Sequence, residues 1–168
     1  MKKSVLLSIS LISVILIFVI LTTGCTWLFT PFIEAEIMQM LDELGEANVN
    51  GDVDQILIHY TDPYTLISED EYVISLEEES IVLEEDMTYV NCLIDDFSNE
   101  EITILDASNA IVECDEHTKF QDLFEEGVFY ESIDRVKLTL VKIDGNWKIS
   151  VYELLASEEV IQYNRFCR

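Results

Sequence analysis

The chain has 168 residues, with 34 acids against nine lysines and arginines and a formal net charge of −25. No lysine or arginine stands between Lys3 and Lys119, while Cys25 to Thr118 holds 25 Asp and Glu residues. A surface of that sign repels nucleic acid and anionic lipid headgroups, which argues against either as a direct partner and favours cations or basic surfaces.

The chain opens on Lys2-Lys3 and an apolar run from Val5 to Leu21, followed by Leu21-Thr22-Thr23-Gly24-Cys25. A positive start, an apolar stretch and small residues before a cysteine are the parts of a secretory leader. The segment resembles a bacterial lipobox, which implies removal of residues 1–24 and diacylation of Cys25. The alternative is an uncleaved signal anchor, since the run approaches the ~20 residues that span a bilayer. Both place the folded part outside the cytoplasm, in the cell envelope and tethered to a membrane.

Residues 25–30 then read as a short tether and 31–168 as a single domain. A domain of this size buries roughly 68–70% of its unfolded surface. With Cys25 committed to lipid, Cys92, Cys114 and Cys167 form at most one intramolecular disulfide. Cys114 reads as a small buried hydrophobe. No Cys/His cluster suggests zinc, and Asn48 to Asp54 fails as a calcium loop because glycine falls at position 4 and His59 at position 12. We expect no metal and no cofactor.

Ile33, Ile37, Met40, Leu41 and Leu44 recur at helical spacing and predict a first helix, ended by Asn50-Gly51. Asp52 caps a short second helix, with Gln55 three residues on, that puts Val53, Ile56, Leu57 and Tyr60 on one face. Asp62-Pro63 should stop it. Tyr64 to Ile67 and Tyr72 to Leu76 read as strands around an acidic turn. Leu83, Met87, Val90, Ile94 and Phe97 then fall within about 80° of helical arc and predict a third helix.

From Ile102 the pattern is β. Ile102 to Leu105 and Ala110 to Phe120 are strands. In the second, Val112, Cys114 and Phe120 share one face, and Glu113, Asp115 and His117 the other. Phe129 to Ile143 and Trp147 to Leu155 form a hairpin turned at Asp144-Gly145. The expected class is α+β, with helices packed on a strongly bent antiparallel sheet.

Two signatures stand out: Gly51-Asp52-Val53-Asp54 leading to Tyr60-Thr61-Asp62, and the hairpin from Arg135 to Ser150 with Trp147 as its apolar anchor. Together with the element order they resemble the nuclear transport factor 2-like, cystatin-like cone superfamily. The resemblance covers about Pro31 to Leu155 and implies a pocket between sheet and helices. That superfamily contains isomerases, dehydratases and hydrolases beside many proteins that only bind, dimerise or serve as extracytoplasmic modules, so fold leaves function open. The hairpin at Tyr64 to Leu76 and the acidity depart from its usual pattern.

Strand alternation places Trp147, Ile149, Val151 and Glu153 together, and the cone geometry would turn that face toward the pocket. Glu153 is then either a general acid/base near the mouth or a solvated strand-end carboxylate. Tyr60 and Tyr64 are either ligand hydrogen-bond donors or core residues with wet hydroxyls. His59 lies beside the second helix's apolar face, and His117 among Glu113, Asp115 and Glu116. Neither sits in a nucleophile motif. The expected function is a membrane-anchored lipoprotein that binds a small apolar ligand or an envelope protein without catalysis, with a homodimer as a further expectation. The residues expected to line the pocket are Tyr60, Tyr64, Trp147 and Glu153, and the alternative function is a pocket enzyme of isomerase or hydrolase type, using Glu153 or a histidine with the pocket tyrosines.

Overall fold

The computed structural model describes residues 30–163, with side chains described through residue 158. Lys2-Lys3, the apolar run, Cys25 and Cys167 lie outside the described residues. Among the described residues no helix is long and apolar enough to cross a membrane.

Helix α1 spans residues 30–50. Its stripe of Ile37, Met40, Leu41, Leu44 and Ala47 is buried. Gly51 ends it with φ +66°, and Asp52 N–H and Gly51 N–H bond back to Ala47 O and Asn48 O. That pair of bonds is a Schellman stop, which needs the left-handed conformation that glycine adopts without steric cost. Asp52 accepts from Gln55 N–H and starts α2, Val53–Leu57.

Strand β1 (Tyr60–Ile67) and β2 (Glu71–Ile74) form the expected hairpin around the acidic turn. β1 begins at Tyr60 and runs through a cis Asp62-Pro63 bond, so Tyr60 opens a strand and does not close α2. Helix α3 (Leu76–Asp86) follows immediately, capped by a reciprocal box in which Ser75 Oγ accepts from Glu78 N–H and the Glu78 carboxylate accepts from Ser75 N–H. Ser75 and Leu76 were expected in a strand; the Ser-x-x-Glu pattern makes them a helix start.

The third helix expected around Leu83 to Phe97 is corrected. α3 ends at Asp86, and Val90–Ile104 is strand β3, which absorbs the strand expected at Ile102 to Leu105. A bulge between Cys92 and Ile94 adds one residue to β3 relative to its neighbour. The inward positions are therefore Val90 and Cys92 before the bulge, Asp95 and Phe97 after it. Val90 and Phe97 lie seven apart, a separation that also matches two helical turns.

Strands β4 (Asn109–Asp122), β5 (Val128–Ile143) and β6 (Asn146–Tyr163) complete a six-stranded sheet in the order β2-β1-β6-β5-β4-β3. Asp144 (φ +52°) and Gly145 (φ +88°) make the β5–β6 turn, with the positive angles that an Asp-Gly pair supplies. The sheet is mixed and not wholly antiparallel, because β1 runs parallel to β6.

The core joins α1 to the inner sheet face. Ala110, Val112, Cys114, Val136, Leu138, Leu140, Trp147 and Ile149 meet Ile37, Leu41 and Leu44 there. Gly45 lets α1 approach β3 closely: a Cβ at that position would lie 2.3 Å from the Asp95 carbonyl oxygen. The outer face carries cross-strand ion pairs: Lys119 with Glu131 at 3.0 Å, Arg135 with Asp115 at 3.2 Å, and Lys137 with Glu153 at 3.1 Å. Lys142 pairs with Glu36, and Lys148 donates to the carbonyls of Ile58 and Tyr60. The described lysines and arginine are thus all engaged, and neither α1 nor α3 carries a basic residue of its own.

Candidate functional site

One end of the cone opens between α3 and strands β3 to β5. The cleft there has a volume of about 410 Å³ and is lined by Asn48, Leu83, Asp86, Met87, Tyr89, Val90, Phe120 and Tyr130. It is mainly apolar. Leu83 and Met87 reach it from α3 and the turn after it, Phe120 and Tyr130 from paired positions on β4 and β5. Phe124, 73% exposed, stacks with Tyr89 at 5.5 Å on the rim.

Asn48, in the last turn of α1, connects this mouth to the interior. Its side-chain amide donates to one carboxylate oxygen of Asp95, which the β3 bulge turns inward. Asp95 is buried, and its other oxygen, Oδ1, has no conventional donor. Glu116 supplies the explanation. Strand alternation puts Glu116 on the inner face with Val112 and Cys114, where its carboxyl group is enclosed beside Asp95 and opposite Asp134. Burial, then the adjacent Asp95 charge, push the Glu116 carboxyl up to about 8. A carboxyl that keeps its proton becomes a donor, and Asp95 is the acceptor it faces. Burial raises Asp95 too, but the amide of Asn48 and the proton of Glu116 both favour its ionised form.

Glu116 Oε2 accepts a hydrogen bond from the hydroxyl of Tyr152. Burial first, then the neighbouring Glu116, hold the Tyr152 phenol far above its usual range. Asp134 completes the group. Its Oδ2 accepts from Ser132 Oγ at 3.1 Å, while its Oδ1 is buried without a donor. The result is a line of buried polar side chains, Asn48, Asp95, Glu116 and Tyr152, in which burial and the adjacent carboxylate favour the protonated form of Glu116. Buried polar chains of this kind stay ordered only while each member keeps its partner.

The residues singled out from the sequence are placed as follows. Tyr60 lies next to this chain; burial and then Glu116 raise its phenol well above the normal range. Tyr64 is buried, stacks on Tyr60 at 4.8 Å and gives its hydroxyl to Glu79 of α3. Trp147 is buried at the opposite end, with Nε1 donating to Glu36 at 3.2 Å and Lys142 lying 5.4 Å above its ring. Glu153 is a correction: it stands on the outer face, paired with Lys137. A bulge adds Ser150 to β6, so the inward set is Trp147, Ile149, Tyr152 and Leu154.

His59 is buried by the hairpin end, where a separate cleft of about 490 Å³ runs past Glu36, Glu43, Trp147 and Lys148; burial lowers its imidazole. His117 pairs with Glu131 at 2.9 Å on the outer face. The structure brings neither histidine to the acid chain. Cys92 and Cys114 are free and buried, and burial pushes their thiols up to about 11 and 12, which keeps them unreactive. Among the described residues no group of side chains is arranged to hold a metal ion. Glu116 escaped the sequence reading, although counting by twos from Val112 and Cys114 reaches it.

No family model and no curated protein matches the chain. Solved structures do. A candidate scytalone dehydratase from Novosphingobium aromaticivorans superposes with a TM-score of 0.63 at 16% identity, over 83% of this chain and 96% of that one. An NTF-2-like protein of unknown function from Shewanella oneidensis gives 0.58 at 20% identity, over 72% and 97%. A ketosteroid isomerase-like protein from Erwinia carotovora atroseptica gives 0.57 at 18%, over 73% and 95%. The chain has the nuclear transport factor 2-like cone fold. At these identities the likeness establishes architecture alone, and the fold is shared by proteins described in enzyme-like terms and by one of unknown function.

Proposed function

We propose that this protein is an extracytoplasmic module, held to a membrane through lipidated Cys25, that binds a small, mainly apolar molecule in the mouth of the cone. One observation carries the reading: an apolar cleft of about 410 Å³ whose polar floor, Asn48, is bonded to the buried Asp95, beside the enclosed Glu116. Pockets for small molecules combine apolar walls with a few placed polar groups. A polar atom of the ligand would meet Asn48, and the chain behind it would fix that amide's orientation.

Nile red fluorescence tests the binding. The dye should bind the full-length protein saturably. Leu83→Glu should weaken it at least tenfold, whereas Val82→Glu, on the exposed side of α3, should not. Melting temperatures of both variants exclude unfolding as the cause. Equal affinity for wild type and Leu83→Glu would contradict the reading.

The proton on Glu116 favours a second reading, in which the Asp95–Glu116 pair transfers protons to and from a bound substrate. Carboxyls poised near neutral pH suit general acid/base work, and perturbed groups gather at functional sites. Solved proteins of the same cone include a candidate scytalone dehydratase and a ketosteroid isomerase-like protein, which keeps this reading open for the present chain. Deuterium incorporation from D₂O into small ketones, lost in Glu116→Gln, would support it. Exchange unchanged by that substitution would not.

A further inference from the structure

We propose that the mouth of the cone selects a hydrophobic cation, an ammonium group on an apolar body, over neutral or anionic molecules of the same shape. This rests on the binding reading above and adds the charge of the ligand. The cleft offers apolar surface from Leu83, Met87 and Val90 and aromatic surface from Tyr89, Phe120 and Tyr130. Among the described residues its one charged lining residue is Asp86, and no lysine, arginine or histidine lines it.

Asp86 is also the last residue of α3. The final turn of that helix holds Glu84, Glu85 and Asp86 with no basic group. A helix C-terminus already carries partial negative charge, so acids there repel it, and a cation is what that end attracts. Two independent sources of negative potential, helix end and side chains, therefore converge on one apolar, aromatic cleft. An ammonium group within about 6 Å of an aromatic ring gains further from the ring's negative face. The nearest base along β4, Lys119, faces the other way, paired with Glu131 on the outer side of the sheet. Among the described lining residues no base competes for the acid.

The test is calorimetric titration of the full-length protein at pH 7 and low salt with three probes of one shape: 4-phenylbutylamine, 4-phenylbutanol and 4-phenylbutyrate. The amine should bind about tenfold tighter than the alcohol, and the carboxylate should give no measurable heat. Asp86→Asn should bring the amine to the affinity of the alcohol without changing the alcohol. Glu77→Gln, in the first turn of α3 and outside the cleft, should leave the amine's advantage in place. Equal binding of alcohol and amine would overturn the charge selection while sparing the binding reading. So would an equal loss in Asp86→Asn and Glu77→Gln, which marks general charge attraction. Failure of all three probes to bind would overturn both.

Discussion

Replacing Glu116 with glutamine removes one titrating proton from the interior and keeps its geometry. The glutamine amide can donate to Asp95 and its carbonyl can accept from Tyr152, so both neighbours retain a partner. In the wild type the carboxyl shifts from an ordinary 4.5 to about 8 on folding. The unfolded chain therefore releases this proton first as pH rises. The group's contribution is complete below about pH 4.5 and is lost progressively up to and beyond pH 8. Between pH 5 and 8 the loss has a ceiling of about 1.4 kcal/mol per pH unit, the slope for one proton. Asp95 is raised too and acts in the same direction, while His59, lowered by burial, acts in the opposite one. Subtracting the variant's curve from that of the wild type cancels the His59 contribution and leaves the titration of the Asp95–Glu116 pair. We expect Glu116→Gln to be the more stable protein at pH 8 and to approach the wild type near pH 5, by urea unfolding at half-unit intervals. Parallel curves across that range would refute the claim that Glu116 is protonated in the fold.

Gly45→Ala should destabilise by about 1–3 kcal/mol, because the added methyl must displace the Asp95 carbonyl, although alanine is otherwise favoured inside a helix by up to ~1 kcal/mol; a higher melting temperature would contradict the close approach. The melting temperature should rise with sodium chloride between 0.01 and 0.1 M, as the Debye length falls from ~30 to ~10 Å and relieves repulsion among acids that the engaged lysines and arginines do not offset. Calcium at equal ionic strength should add little, and a stoichiometric calcium isotherm would contradict a solvated acidic surface. Protein made in a bacterial host should lose residues 1–24 and gain lipid by intact mass, with both changes abolished in Cys25→Ser; an N-terminus at Met1 would leave the signal anchor.

Local signals carried much of the fold into the sequence. The stripe of α1, its stop at Gly51, the Asp52 cap and the Asp144-Gly145 turn depend on neighbours a few residues away, and each reads directly from residue type. Bulges do not. One extra residue near Leu93 made strand positions Val90 and Phe97 mimic two turns of helix, and one at Ser150 moved Glu153 from the inner face to the outer. The Ser75 capping box was written in the sequence and lay hidden within an apparent strand. The acid chain was the least legible part. A glutamate on a core-facing position is explained only by partners from β3, β6 and the end of α1, and those meet through topology that spacing does not reveal.

The ligand should sit at the α3 end of the cone and not in the cleft beside Trp147. Methyl-labelled NMR during a titration with Nile red decides between the two ends. The account predicts saturable shifts in Leu83, Met87 and Val90, with Met40, which lines the hairpin-end cleft, unmoved. Shifts confined to Met40, or no shift in any of the four, would contradict it.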